Sequence, residues 1–394
     1  MMDGLWVGAF AISVSLIVYH HVGYPLLLKW YSSRHPLTRV AHTDRGYRTL
    51  KRDRALPNVT VLIPAYNEAA WIAEKIRNLA YLDYPKTKLR VLIVCDGCTD
   101  NTVQEAESTI QEAICADTHF EVIANEKNQG KVAILNHYIP KISTDITAIS
   151  DVSALISIDA LIIAAEQFQD QSVGVVNATY QLLDNDSGES AYWQYQNQIK
   201  YRETTLGSTI GSHGALYFIR TALFTPLPTN AINDDFLIPM QIIKSGYRAT
   251  YAENMNAVEL ESTNLDNDFK RRVRISAGNM QQTMQLFGLL SPHYKGVAFA
   301  FFSGKGLRLI TPYLMIIALV SCAFLSNYPI FSILFSAQIL IYIIAILGVY
   351  IPSLQRLKVI QLITYVILGH TANLIGGLRY LLGLENGKWK RITR

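Results

Sequence analysis

Charge is scarce in this chain. Asp, Glu, Lys and Arg make up 17% of its 394 residues while half are hydrophobic, against roughly a quarter charged in ordinary soluble proteins, so part of the apolar surface must face lipid. Cysteine is sparse too, and the four thiols Cys95, Cys98, Cys115 and Cys322 suit a reducing compartment. The lone C-x-x-C, Cys95-Asp96-Gly97-Cys98, lacks the second ligand pair or thioredoxin-like setting that a zinc or redox role needs. The first apolar block has neither a basic leading region nor a small-residue cleavage site, which favours a retained anchor over a removed signal peptide. Internal repeats and low-complexity segments are absent. The net charge of +4 reflects local clusters near the membrane blocks, so lipid headgroups are the simpler partner and nucleic acid is not expected.

The apolar residues are unevenly placed. One block runs from Leu5 to Leu28, and three more, Leu309 to Leu325, Ile330 to Ile351 and Val359 to Leu382, follow a section of ordinary globular composition. Each is near the length of about 20 residues that spans a bilayer. The expected organisation is a transmembrane anchor (1–30), a basic juxtamembrane linker (31–56), a cytosolic domain (57–290), an interfacial segment (291–305), membrane helices (306–384) and a basic tail (385–394). Lys29, Arg34, Arg39, Arg45, Arg48, Lys51, Arg52 and Arg54 against Asp44 and Asp53 put the middle domain in the cytosol by the positive-inside rule. Three further crossings would leave the tail outside, although Lys388, Lys390, Arg391 and Arg394 favour the inside. The last block carries Gly369, His370, Asn373, Gly376 and Gly377, so an in-plane or re-entrant course stands beside a spanning one.

From Asn58 onward, short β-branched runs alternate with amphipathic patterns, the signature of parallel strands joined by crossover helices. Val59–Pro64, Leu89–Cys95, Phe120–Ala124, Ile146–Asp151, Val173–Ala178 and Ala215–Arg220 read as strands. Glu68–Leu82, Asn101–Ala116, Lys131–Ile139, Ser157–Gln169 and a segment after Asp235 read as helices, and Phe269–Leu290 as a basic amphipathic helix. The fold class is α/β. Such sheets bind ligands beyond the carboxyl ends of their strands, where three polar motifs fall.

Pro64-Ala65-Tyr66-Asn67-Glu68 is a turn that can hold a base and ribose through backbone groups, or simply cap a helix with Asn67. Asp96, Gly97 and Asp100 follow the second strand with the same two readings. Asn128-Gln129-Gly130-Lys131 puts a glycine turn and a lysine at a helix start, a layout suited to phosphate or to a turn with no ligand. Asp151 ends an apolar strand, where an ionised carboxylate is costly without a partner; Mg2+ or Mn2+ bridging to a diphosphate would supply one. Asp234 and Asp235 are adjacent acids, fit for a general base or for a helix N-terminus that favours negative charge. Arg271, Arg272 and Arg274 can meet a diphosphate or anionic lipid.

In this order the motifs resemble inverting glycosyltransferase family 2, with its GT-A fold, of the kind found in bacterial surface-polysaccharide assembly. The resemblance covers about Asn58 to Gln282. Residues 64–68 look like the family's opening motif, Asp96 to Asp100 like its second uridine-contacting motif, and Asn128 to Lys131 with Asn136 like N-x-G-K-x-x-x-L-N. Asp151-Val152-Ser153 is similar to the metal-binding D-x-D with serine in place of the second acid, and Asn233-Asp234-Asp235 to the T-E-D motif that ends in the base. Arg271-x-x-Arg274-Ile275 has the spacing of the processive Q-x-x-R-W without its glutamine or tryptophan.

The resemblance implies a mostly parallel GT-A sheet and direct displacement at the anomeric carbon, with Asp235 as base and Mg2+ or Mn2+ on Asp151. It implies a nucleotide-sugar donor, a UDP-sugar, held by residues 64–68, Asp96, Gly97, Lys131, Asp151, Ser153, Arg271, Arg272 and Arg274. Trp193 and His213 are candidates for the acceptor side. The expected setting is the inner, cytoplasmic membrane of a bacterium, with a membrane-associated glycan or lipid-linked acceptor and polysaccharide-assembly proteins as partners. Polyprenyl-phosphate glycosylation, processive synthesis and a non-catalytic assembly role stand as alternatives.

Overall fold

The computed structural model describes residues 2–37, 45–183, 188–261 and 265–385. The chain forms two compact units: residues 1–34 with 264–386, and residues 35–263 with 387–394. The expectations placed on Arg39 and on the basic tail lie outside the described residues.

The second unit is built on one eight-stranded sheet. Its strands are β1 (Val59–Ala65), β2 (Leu89–Asp96), β3 (His119–Asn125), β4 (Ile146–Ile149), β5 (Ala154–Ile156), β6 (Val173–Leu182), β7 (Tyr217–Arg220) and β8 (Arg248–Glu259). They lie in the order β3-β2-β1-β4-β7-β6-β8-β5. The β1–β2, β2–β3, β1–β4 and β6–β8 pairs are parallel; β4–β7, β6–β7 and β5–β8 are antiparallel. The mixed, mostly parallel sheet with flanking helices agrees with the class expected from sequence.

Every residue of β1 is buried, as a central parallel strand covered on both faces requires. The helix Ile72–Ala80 lays Ile72, Ile76 and Leu79 into that core with no exposed surface, the i, i+4, i+7 spacing of one helix face. Truncating Ile76 to alanine would cost about 2–5 kcal/mol through the cavity left behind.

Among the boundaries that differ from expectation, three illustrate local causes. The helix expected from Glu68 begins at Ile72, because the backbone amides of Glu68 and Ala69 are taken by Thr102 Oγ1 (2.7 Å) and Asp100 Oδ2 (3.2 Å). β4 stops at Ile149, leaving Asp151 in the turn beyond it. The helix expected over Phe269–Leu290 spans Leu265–Gln285, followed by a 3-10 turn at Phe287–Leu290. Two strands were not expected: β5 is three residues long, and β8 runs beside β6 through a register shift at Ala178/Thr179. In the basic linker, Arg45 is committed within the domain and not to lipid. Its guanidinium bridges Asp83 (2.5 Å) and Asp53 (3.1 Å).

The first unit is helical. Met2–Arg34, Gly296–Phe324, Pro329–Tyr350 and Lys358–Leu381 are long and apolar enough to cross a membrane, and the protein is membrane-associated. The first two run antiparallel: Trp6 stacks on Phe324 at 4.5 Å, and at the other end Tyr19 Oη lies 2.9 Å from Ser303 Oγ. The glycines of the last helix serve close packing. A Cβ on Gly376 would stand 2.3 Å from the Val273 carbonyl oxygen, and one turn before it Asn373 Oδ1 accepts from Ser276 Oγ at 2.8 Å.

Candidate active site

The turns after β1, β2 and β3 meet at the carboxyl edge of the sheet. Asn67 sits at φ 55°, a left-handed conformation that asparagine tolerates. Its Oδ1 accepts from the Thr99 amide (2.8 Å) and its Nδ2 donates to Thr99 Oγ1 (3.1 Å). The Pro64–Glu68 turn is thereby clamped to residues 97–102.

Asp96 is fully buried, and its carboxylate accepts from the amides of Gln129 (3.0 and 3.1 Å) and Gly130 (2.7 Å). A buried carboxylate must be satisfied in this way, so Asp96 shapes the loop that delivers Lys131. Gly97 completes the junction at φ +63°; a Cβ there would stand 2.3 Å from the Asn128 backbone nitrogen.

Lys131 opens the next helix and brings two distant acids together. Its Nζ lies 2.7 Å from Asp151 Oδ1 and 3.5 Å from Asp234 Oδ2. Burial works against the lysine charge, but Asp151, Asp234 and Asp235 outweigh it and its pKa stands well above the usual value. Burial likewise opposes ionisation of Asp151, and Lys131, helped by His213 and Lys75, overrides it to hold that carboxyl below the ordinary range. Asp151 therefore stays ionised and keeps 38% of its side chain exposed. Asp234 is buried and Asp235 half-buried in the first turn of the helix Asp234–Lys244. The Asp235 carbonyl accepts from the Ser212 amide at 2.9 Å, tying this helix start to the loop before β7.

That loop carries His213 and Gly214. His213 stacks on Tyr180 at 3.7 Å between ring centroids, and Trp193, on the helix Gly188–Thr204, meets both rings edge-on at 4.6 and 4.8 Å. The Ala215 amide donates to His213 Nδ1 at 3.2 Å, so the neutral ring carries its proton on Nε2. A Cβ on Gly214 would stand 2.7 Å from Asp151 Oδ2. Gly214 was not legible in the sequence, because its need arises only when β7 comes home beside β4. Ser153 is buried two residues after Asp151, its carbonyl accepting from the Leu260 amide at 2.9 Å.

The fold thus gathers Lys131, Asp151, Asp234, Asp235, His213 and Gly214, and separately clamps residues 64–68 to 97–102. Arg271, Arg272 and Arg274 lie on the helix Leu265–Gln285 of the other unit, where the Arg272 guanidinium stacks over Tyr365 at 4.3 Å. Among the described residues, no group of three or more His, Cys, Asp or Glu side chains is placed to hold a metal ion alone.

A mixed sheet of this order, with ionised acids and a lysine at its carboxyl edge and apolar helices at both ends of the chain, defines a membrane-associated glycosyltransferase of the GT-A type. The chain belongs to the glycosyltransferase-like family 2, whose profile matches residues 57–278. It is 24% identical over 241 residues to the poly-β-1,6-N-acetyl-D-glucosamine synthase of Staphylococcus aureus, an alignment covering 59% of this chain and 57% of that one. It is also 24% identical over 255 residues to an N-acetylglucosaminyltransferase of Mesorhizobium japonicum, covering 59% and 58%. The chain therefore spans somewhat over half the length of these curated relatives. The mannosyltransferase PcManGT of Pyrobaculum calidifontis, solved with GDP-Man and Mn2+, shares the fold over 95% of this chain and 99% of its own, with a TM-score of 0.72 at 22% identity.

Proposed function

We propose that the protein is a membrane-bound inverting glycosyltransferase that moves a sugar from a nucleotide-sugar donor, a UDP-sugar, to a membrane-associated glycan or lipid-linked acceptor in polysaccharide biosynthesis. The observation that carries this reading is the Lys131 ammonium set between Asp151 and Asp234, next to Asp235.

The clamped turns 64–68 and 97–102 hold the base and ribose, and the Asp96-shaped loop presents Lys131 to the diphosphate. Asp235 takes the proton from the acceptor hydroxyl, whose oxygen attacks the anomeric carbon as the bond to the diphosphate oxygen breaks, inverting the configuration. Asp234, 3.5 Å from the Lys131 ammonium, holds the helix start that carries Asp235 against the lysine. Trp193 and His213, locked with Tyr180, offer ring faces to the acceptor sugar.

A divalent cation fits Asp151. Its carboxylate is ionised, partly exposed and at a strand end, and Mg2+ or Mn2+ commonly binds through one or two carboxylates plus substrate phosphates. When bound it neutralises charge on the departing diphosphate. Arg271, Arg272 and Arg274 are assigned to the diphosphate or to anionic headgroups.

The basic linker favours a cytosolic catalytic unit on the inner membrane, with polysaccharide-assembly proteins as partners. The test is nucleotide release by detergent-purified protein across a panel of nucleotide sugars. One UDP-sugar should be turned over in an Asp235-dependent way. Equal background release by wild type and Asp235→Asn with every donor would overturn the reading and favour a non-catalytic assembly role.

A further inference from the structure

Lys75 has no exposed surface, yet among the described residues it donates a hydrogen bond to no carboxylate. Its Nζ donates to Ser150 Oγ (2.7 Å) and to the Ala154 carbonyl (2.5 Å), the residues on either side of the Asp151–Ser153 turn. Ser150, also fully buried, passes the link on by donating to the Ala215 carbonyl at 2.5 Å, and the Asp151 amide donates to the Gly214 carbonyl at 3.1 Å. One helical turn after Lys75, Asn78 exchanges two hydrogen bonds with Ile156, both 2.9 Å. Residues three apart share a helix face, so one face of Ile72–Ala80 grips the chain at 150, 154 and 156.

We propose that Lys75 is a positioning residue for glycosyl transfer, whose ammonium sets the Asp151 turn and, through Ser150, the His213–Gly214–Ala215 turn against each other. The inference rests on Asp151 being the donor-side carboxylate. Packing alone does not account for a lysine here. A buried charge is costly, and burial pulls its pKa down to about 7 against the fields of Asp151 and Glu259. An apolar side chain of similar length would fill the same space without a buried charge, at the cost of the hydrogen bonds to Ser150 and Ala154. What methionine cannot do is donate to Ser150 and Ala154 together. A displacement of about 1 Å at a reacting group can cost a hundredfold in rate, so a small shift of Asp151 reaches the chemistry.

The two roles separate in one experiment on the full-length protein in detergent. Thermal unfolding, UDP binding, and kcat and KM for the donor found active are measured for Lys75→Met, Lys75→Arg, Ser150→Ala and Asp151→Ala. Lys75→Met should remain folded while kcat falls tenfold or more and donor KM rises. Lys75→Arg should recover part of kcat, and Ser150→Ala should lose kcat in the same direction. Wild-type kinetics in a folded Lys75→Met beside an inactive Asp151→Ala would overturn the role of Lys75 alone. Wild-type kinetics in Asp151→Ala would overturn the donor-side reading and the proposal with it. If Lys75→Met does not fold, Ser150→Ala decides, and wild-type kcat and KM there would overturn the proposal.

Discussion

The Lys131 ammonium lies 2.7 Å from Asp151 Oδ1, joining the start of the helix after β3 to the turn between β4 and β5. The ion pair makes stability depend on pH. Asp151 is held below the ordinary carboxyl range chiefly by Lys131 working against burial. A depressed carboxyl contributes stability above its unfolded pKa of about 3.9 and loses it as pH falls through the folded value. The difference in melting temperature between wild type and Lys131→Gln should therefore be steady from about pH 5 to 8 and shrink below about pH 4. A difference unchanged down to pH 3 would mean the pair is not coupled in this way.

Asp235→Asn should abolish transfer while donor binding survives, since the base acts on the acceptor. The loss expected for a general base is about a hundredfold to ten-thousandfold in kcat. UDP binding by calorimetry alongside turnover makes the distinction, and near-normal turnover would remove Asp235 from the role.

Chelation should stop the reaction, with Mg2+ or Mn2+ restoring it, and Asp151→Ala should raise the cation concentration needed. Titrating each ion into apo-protein while following nucleotide release checks both. Full activity in excess chelator would leave Asp151 as Lys131's partner only.

Much of this arrangement was legible in the sequence because each motif is a local event: an apolar strand, a polar turn, a helix start. Pro64–Glu68, Asp96–Asp100, Asn128–Lys131 and Asp151 all stand where strand periodicity ends. What was not legible depends on distant packing. Gly214 is read only against Asp151, Lys75 only against Ser150 and Ala154, and β5 only once β8 lies beside it. β8 itself escaped because the exposed Glu253 and Asn254 interrupt its alternation where its register with β6 shifts. Asp96 read equally as a ligand-facing acid or a cap, and only the fold shows its carboxylate accepting from Gln129 and Gly130.

Gly214→Ala tests the close approach directly. The added methyl would meet Asp151 Oδ2 at 2.7 Å, closer than real contacts allow, so the carboxylate or the loop must move. Donor KM and kcat should worsen by tenfold or more with only a small change in melting temperature, as a misplaced reacting group predicts. Unchanged kinetics would show that the Asp151 carboxylate can turn without consequence.

Residue 275 bears on how long the enzyme keeps its product. A processive transferase must hold the growing chain between additions, and the processive Q-x-x-R-W pattern that Arg271 to Ile275 resembles ends in tryptophan where this chain has Ile275. Ile275 is 38% exposed on the helix Leu265–Gln285 and presents no broad ring face on which a sugar can stack. The acceptor should therefore leave readily after each transfer, giving products longer by one or a few sugars. Mass spectrometry of products formed with excess donor and scarce acceptor decides it. A distributive enzyme extends nearly all acceptors a little before any becomes long, whereas long polymers on a few acceptors with the rest untouched would establish processive synthesis. Ile275→Trp adds a second arm: a shift toward longer products would place residue 275 on the path of the growing chain.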